Sequence, residues 1–146
     1  MEKRMNRVNE AFLDAAFAIA LSSPGDQFHA RAVELAERME REGTTIVTTR
    51  AVLLEIGNAL SKSRYRADSV ALLQSLETDP KVEITSLTDD LFSRALQLYS
   101  ERLDKEWGLI DCVSFIVMQD RGIQGALTTD HHFRQAGFEV LLLDTA

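Results

Sequence analysis

Short apolar or β-branched runs alternate along this chain with longer segments of helical periodicity, and that alternation constrains the fold more than any other feature. Thr45 to Thr48 is a β-branched run between helical stretches, and Val82 to Thr85 follows the Asp79-Pro80 turn. Gly125 to Thr128 and Phe138 to Leu143 repeat the pattern near the carboxyl end. Arg7 to Leu13 ends in an apolar run that reads as a first strand, although Ala11 to Leu21 equally fits the start of a buried helix. Strands that alternate with helices pair in parallel, because each crossover carries a helix back over the sheet. The expected fold is therefore α/β, a three-layer sandwich with a five-stranded parallel sheet flanked by helices.

The intervening segments carry helix signals. Ser23-Pro24 offers a cap and a first-turn proline, Gly43 a stop, and Phe28, Ala32, Leu35, Ala36 and Met39 an apolar stripe between them. Thr49 can cap a helix running to about Ser63, and another helix spans roughly Ala67 to Leu76. Thr88 caps the next, with Asp89 and Asp90 in its first turn and Leu91, Ala95 and Leu98 facing inward. Leu109 to Gln119 is apolar almost all round, which predicts a buried helix, and Gly122 ends it. His132 to Ala136 forms a small helix before the last strand.

A length of 146 residues suits one domain over 1–146, with residues 1–6 read as a loosely ordered extension. One cysteine, Cys112, excludes an internal disulfide, and three histidines cannot build a Cys/His zinc site at the usual spacings. Any metal must then be held by oxygen. Basic Met1 to Arg7 followed by apolar Ala11 to Leu21 outlines a signal peptide, but Asp14 in that run opposes membrane insertion. The expected location is the cytoplasm, with no membrane contact. A net charge of −7 argues against a broad electropositive surface, so contact with a nucleic acid would be local or metal-mediated.

Four acids among 23 stand out by their settings. Asp14 lies among Phe12, Leu13, Ala15, Ala16 and Phe17, where a bare carboxylate must be protonated or face a cation. Its bland alternative is a cap at a strand-to-helix turn. Glu55 interrupts Val52, Leu53, Leu54 and Ile56, and competes with a reading as a solvated glutamate paired with Lys62. Asp111 opens the buried helix and shares a face with Ser114, although helix starts attract acids for stability alone. Asp130 follows Leu127-Thr128-Thr129 at a strand end, where a turn or cap aspartate is the competing reading. Oxygen ligands at the carboxyl edge of one sheet suit a hard cation such as Mg²⁺, whose chemistry at a phosphate is hydrolytic.

These segments resemble the PIN-domain ribonucleases, particularly the VapC-like toxins of toxin-antitoxin pairs. The likeness covers nearly the whole chain. It rests on Phe12-Leu13-Asp14, on Thr49 through Glu55 to Asn58-Ala59-Leu60, on Leu109-Ile110-Asp111-Cys112-Val113-Ser114, and on Leu127-Thr128-Thr129-Asp130 with His132-Phe133 and Gly137-Phe138 behind it. It implies a PIN-like sandwich and an endoribonuclease that hydrolyses single-stranded or structured RNA with Mg²⁺ or Mn²⁺. It also implies frequent homodimers and an antitoxin that covers the site. Asp14, Glu55, Asp111 and Asp130 take the acidic positions that bind metal and carry catalysis, with Ser114 and Thr129 as supporting hydroxyls. One departure is that Ala15 and Ala16 follow Asp14, where many members place a hydroxyl.

Lys62, Arg64 and Arg66, with Tyr65 among them, form a basic patch that could contact RNA or simply end a helix in solvent. His131 and His132 read as turn and core residues. Cys112 reads as core, and Trp107 as packing beneath the buried helix or at a dimer contact. The rival readings are an inert PIN-fold module for RNA or protein binding, and a receiver domain or aspartate-nucleophile phosphatase. The last two are disfavoured because no lysine follows Lys105 and because Ala16 stands two residues after Asp14.

Overall fold

A computed structural model describes residues 9–143. Its elements are β1 (Glu10–Leu13), α1 (Ala15–Ser22), α2 (His29–Glu42), β2 (Thr45–Thr49), α3 (Arg50–Ala59), α4 (Ser63–Thr78), β3 (Val82–Thr85), α5 (Asp89–Glu101), α6 (Leu109–Arg121), β4 (Gly125–Leu127), α7 (His131–Gln135) and β5 (Glu139–Val140). The strands form one parallel sheet in the order β3-β2-β1-β4-β5. The expectation of a loosely ordered extension at 1–6 lies outside the described residues, as does the start of the first strand at Arg7. No helix among the described residues is long and apolar enough to cross a membrane.

Strand alternation sets up the layers. Leu13 lines a small apolar cavity with Phe17 and Leu21 of α1, Met39 of α2 and Leu72 and Leu76 of α4. Its neighbour Phe12 points to the other face, where its ring lies 6.3 Å from that of Phe133, and Phe133 stands edge-on to Phe115 at 5.0 Å. That aromatic chain seats α6 and α7 against β1. Residues Cys112 to Met118 of α6 are all buried, as an apolar circumference requires.

The sequence located most elements and misplaced several ends. Between β1 and α2 it left a helix, α1, only as an alternative reading. The helix expected from Ser23-Pro24 begins at His29, because Ser23 to Asp26 closes a turn: the Asp26 N–H donates to Ser23 O at 2.9 Å, and Asp26 Oδ1 accepts the Phe28 N–H at 2.8 Å. The helix capped by Thr49 stops at Ala59, and α4 starts at Ser63 rather than Ala67. β5 keeps two residues of the expected Phe138 to Leu143, since the chain turns at Leu141. Gly43 and Gly122 do end their helices, with φ of 67° and 71° in the left-handed region that glycine enters without a Cβ clash.

This strand order reverses at β1, which pairs with β2 on one side and β4 on the other. In open parallel sheets, the crevice beyond the carboxyl ends at such a point is where ligands collect. Asp14 and Asp130 stand there. A cleft of about 920 Å³ lies at the opposite edge, lined by Asn9, Glu10, Gly125 and Glu139 at the strand starts, and contains none of the four acids.

Candidate active site

Asp14 follows the last residue of β1, and its N–H extends the ladder to β4 by donating to Leu127 O at 3.2 Å. It occupies the cap position of α1, yet its side chain is directed elsewhere: Oδ2 accepts the Thr128 hydroxyl at 2.7 Å. The residue is 7% exposed. Burial pushes the carboxyl up to about 6, with the charges of Asp111 and Asp130 adding, while the hydrogen bonds from Thr128 and the Ala15 N–H oppose.

Glu55 is held by α3, whose start is fixed by Thr49 Oγ1 accepting the Val52 N–H at 3.1 Å. Half-buried, its carboxyl is pushed up to about 7, first by burial and then by Asp14, Asp111 and Asp130. The ion pair with Lys62 that the spacing allowed does not form among the described residues.

Asp111 lies in the first turn of α6. Its Oδ2 accepts the Gly108 N–H at 3.1 Å, so the helix-start role is real, and the same oxygen lies 3.2 Å from His132 Nδ1. Burial and then, against the Gly108 hydrogen bond, the charge of Asp130 raise its pKa. Asp130 caps α7, with Oδ1 accepting the His132 N–H at 2.9 Å. In Asp111 and Asp130 one oxygen is thus fixed by protein, while Oδ1 and Oδ2 respectively have no hydrogen-bond partner among the described residues.

Four carboxylates from four parts of the chain lie near enough for every pairing among them to raise the pKa of at least one member, while the ligand-type atoms gathered within 4.8 Å of one another are those of Asp130, His131 and His132. Among the described residues, no lysine or arginine pairs with any of them. The cation-type contacts among the described residues come from His131 and His132. Ser114, one turn along α6 from Asp111, is fully buried with a hydroxyl that has no partner among the described residues. Carboxylates grouped without a lysine or arginine are the donor set a divalent metal ion takes, so the residues present fit such an ion.

Three features escaped the sequence reading. The hydroxyl that reaches Asp14 belongs to Thr128, whereas Thr129, its neighbour, is half-buried and forms no hydrogen bond from its side chain among the described residues. Thr128, the residue after β4, gives Asp14 the hydroxyl that Ala15 lacks. Thr48 Oγ1 donates to Leu13 O at 2.8 Å, fixing the backbone just before Asp14. His132, read as a turn and core residue, instead turns its ring toward two of the acids. Lys62, Arg64 and Arg66 lie exposed at the α3–α4 corner, where Arg66 folds back on Ser61 O at 2.6 Å and Arg64 lies over the Tyr65 ring at 4.8 Å.

The family model for the PIN domain matches residues 11–139. The 23S rRNA-specific endonuclease VapC20 of Mycobacterium tuberculosis is 32% identical over 128 residues, spanning 87% of this chain and 94% of the relative. The crystal structure of M. tuberculosis VapC20, described as a sarcin-ricin loop cleaving toxin, superposes with a TM-score of 0.76 at 28% identity, covering 88% of this chain and 95% of that one. VapBC2 from Rickettsia felis, bound to a promoter DNA fragment, shares the fold at a TM-score of 0.63 and 15% identity, covering 90% and 96% of the two chains. FitAcB from Neisseria gonorrhoeae shares it at 0.64 and 16%, covering 89% and 95%.

Proposed function

Since the chain belongs to the PIN-domain family, we propose that it is a VapC-like, metal-dependent endoribonuclease whose four carboxylates serve as its catalytic and metal-binding residues. The observation that carries this is the convergence of Asp14, Glu55, Asp111 and Asp130, each raising or raised by the others, with no lysine or arginine among the described residues to neutralise them. Membership of the family also removes the receiver and phosphatase readings.

Asp14, Glu55, Asp111 and Asp130 would hold Mg²⁺ or Mn²⁺. A bound divalent cation supplies charge for a phosphodiester and makes water a better nucleophile near neutral pH. The chain's own groups do the positioning. Thr128 fixes Asp14 through Oδ2, Gly108 fixes Asp111 through Oδ2, and the first turn of α7 fixes Asp130 through Oδ1.

The likeness to VapC20 supports RNA as substrate, and ribosomal RNA as its class. An antitoxin that covers the acids, a homodimeric state and a cytoplasmic location complete this reading, all as the family resemblance implies. An inert module gains little support from Ala15, because the Thr128 hydroxyl stands in for the missing one. The test is cleavage by partner-free protein of a mixed single-stranded RNA pool and of a 23S fragment carrying the sarcin-ricin loop, with Mn²⁺ or Mg²⁺. Cleavage lost in Asp111→Asn is the expected result. No cleavage of either RNA with either ion overturns the reading.

A further inference from the structure

α7 brings more than Asp130 to the acids. His132 Nδ1 stands 3.2 Å from Asp111 Oδ2 and 3.3 Å from Asp130 Oδ1, on a side chain only 21% exposed. Asp130, His131 and His132 also form a group whose ligand-type atoms all lie within 4.8 Å of one another. His131 is the outer member, 68% exposed and 3.9 Å from Asp130 Oδ1.

The placement of His132 follows from packing. Phe133, next in the chain, is fully buried between Phe12 and Phe115, which sets the rotation of α7 about its axis. Gln135 on the same helix accepts the indole N–H of Trp107 at 3.0 Å, tying α7 to the loop that leads into α6. Asp130 then fixes the first turn through the His132 N–H. With α7 held at these points, the imidazole lies beside the acids that begin α6 and α7.

Resting on the reading that the acids hold a divalent cation, we propose that His132 is a further ligand, giving the site one nitrogen donor through Nδ1 and biasing it toward Mn²⁺ over Mg²⁺. Mg²⁺ takes oxygen ligands and gives up water reluctantly, whereas Mn²⁺, though it also favours oxygen, is a first-row transition ion that accepts an imidazole nitrogen at less cost. Without an ion Nδ1 lies within hydrogen-bond distance of Asp111 Oδ2, a contact that places the proton on Nδ1; ligation takes the tautomer that carries it on Nε2 and replaces that hydrogen bond. Four carboxylates alone give no such preference for nitrogen-binding ions; a nitrogen between Asp111 and Asp130 does.

The experiment is pulsed electron paramagnetic resonance of the full chain loaded with Mn²⁺ and free of RNA. A modulation from a directly bound ¹⁴N is expected, replaced by that of ¹⁵N when the protein is made with ¹⁵N-histidine. It should persist in His131→Ala and vanish in His132→Ala. Calorimetric titration should show Mn²⁺ affinity falling roughly tenfold in His132→Ala, with Mg²⁺ affinity moving less than about threefold. Bound manganese without nitrogen coupling in the unaltered chain overturns the ligand while leaving the carboxylate site standing. Coupling that survives His132→Ala overturns it as well. Failure of the chain to bind Mn²⁺ at all removes both this inference and the reading beneath it.

Discussion

The hydroxyl of Thr128 donates to Asp14 Oδ2 at 2.7 Å, and both side chains are buried. Thr128 Oγ1 in turn accepts the N–H of Asp130 at 3.0 Å, so one threonine fixes the spacing of two acids that begin different segments. Thr128→Val keeps the shape and removes both contacts, leaving the buried Asp14 carboxylate with only the Ala15 N–H as donor. Mn²⁺ affinity is expected to fall about 10- to 100-fold, the usual cost of losing a group that orients a ligand, while Thr128→Ser restores most of it. Equal affinity in the valine variant, measured by calorimetry, would show that Asp14 orients itself without help.

Asp14→Asn separates stability from activity. The amide oxygen can still accept from Thr128, and the cost of burying a charge disappears. The metal-free variant should melt above the parent, by a few degrees at pH 8, on the order of what about 1 kcal/mol gives a domain of this size. RNA cleavage should fall ~100-fold or more, because several kcal/mol of charge stabilisation is lost with the ligand. A variant that is less stable and still active would show that Asp14 serves the fold and not the chemistry.

How much of this was legible in the sequence depends on the kind of contact. Asp14, Glu55 and Asp111 could be singled out because a charge inside an apolar run has few explanations, and the structure brings them together with Asp130. Thr128 could not be chosen over Thr129 because the choice depends on strand order: β4 lies beside β1 with Leu13 opposite Leu127, which puts Thr128 next to Asp14. Nothing local reveals that β1 and β4 are neighbours. His132 was missed for a similar reason, since its partner Asp111 is 21 residues away and the Phe133 packing that aims the ring is a tertiary fact. The late start of α2 was a local error. Pro24 reads as a first helical residue, but Gly25 and the Asp26 side chain favour a closed turn, and the helix waits for His29.

The raised carboxyls give the metal-free protein an unusual pH dependence. Asp14 titrates near 6 and Glu55 near 7 when folded, against ordinary values of 3.8 and 4.5. A folded pKa above the unfolded one means that the folded chain binds more protons between the two values, so stability falls as pH rises through that interval. The melting temperature should drop between pH 5 and pH 8, on the order of 5 °C. Saturating Mn²⁺ should reverse the slope, because the ion binds the deprotonated site and competes with protons. A metal-free melting curve that is flat or rises over this range contradicts the burial of these charges.

Approach of RNA raises an electrostatic difficulty, since the chain carries a net charge of −7 and its candidate site is itself anionic. Something must offset repulsion of the phosphates before any cation at the site can act, and the α3–α4 corner is the candidate. Arg66 is occupied by Ser61 O, whereas Lys62 and Arg64 are exposed and pair with no acid among the described residues. If these two meet phosphates, a Lys62→Ala and Arg64→Ala double variant should raise KM roughly tenfold and leave kcat nearly unchanged, since only binding energy is removed. Its plot of log affinity against log salt should be shallower by roughly 0.7 for each charge lost, the increment for a single strand. Arg66→Ala should alter that slope less, because its guanidinium already serves the backbone. An unchanged slope in the double variant would place the RNA path elsewhere on the surface and leave the burden of attraction to the bound cation alone.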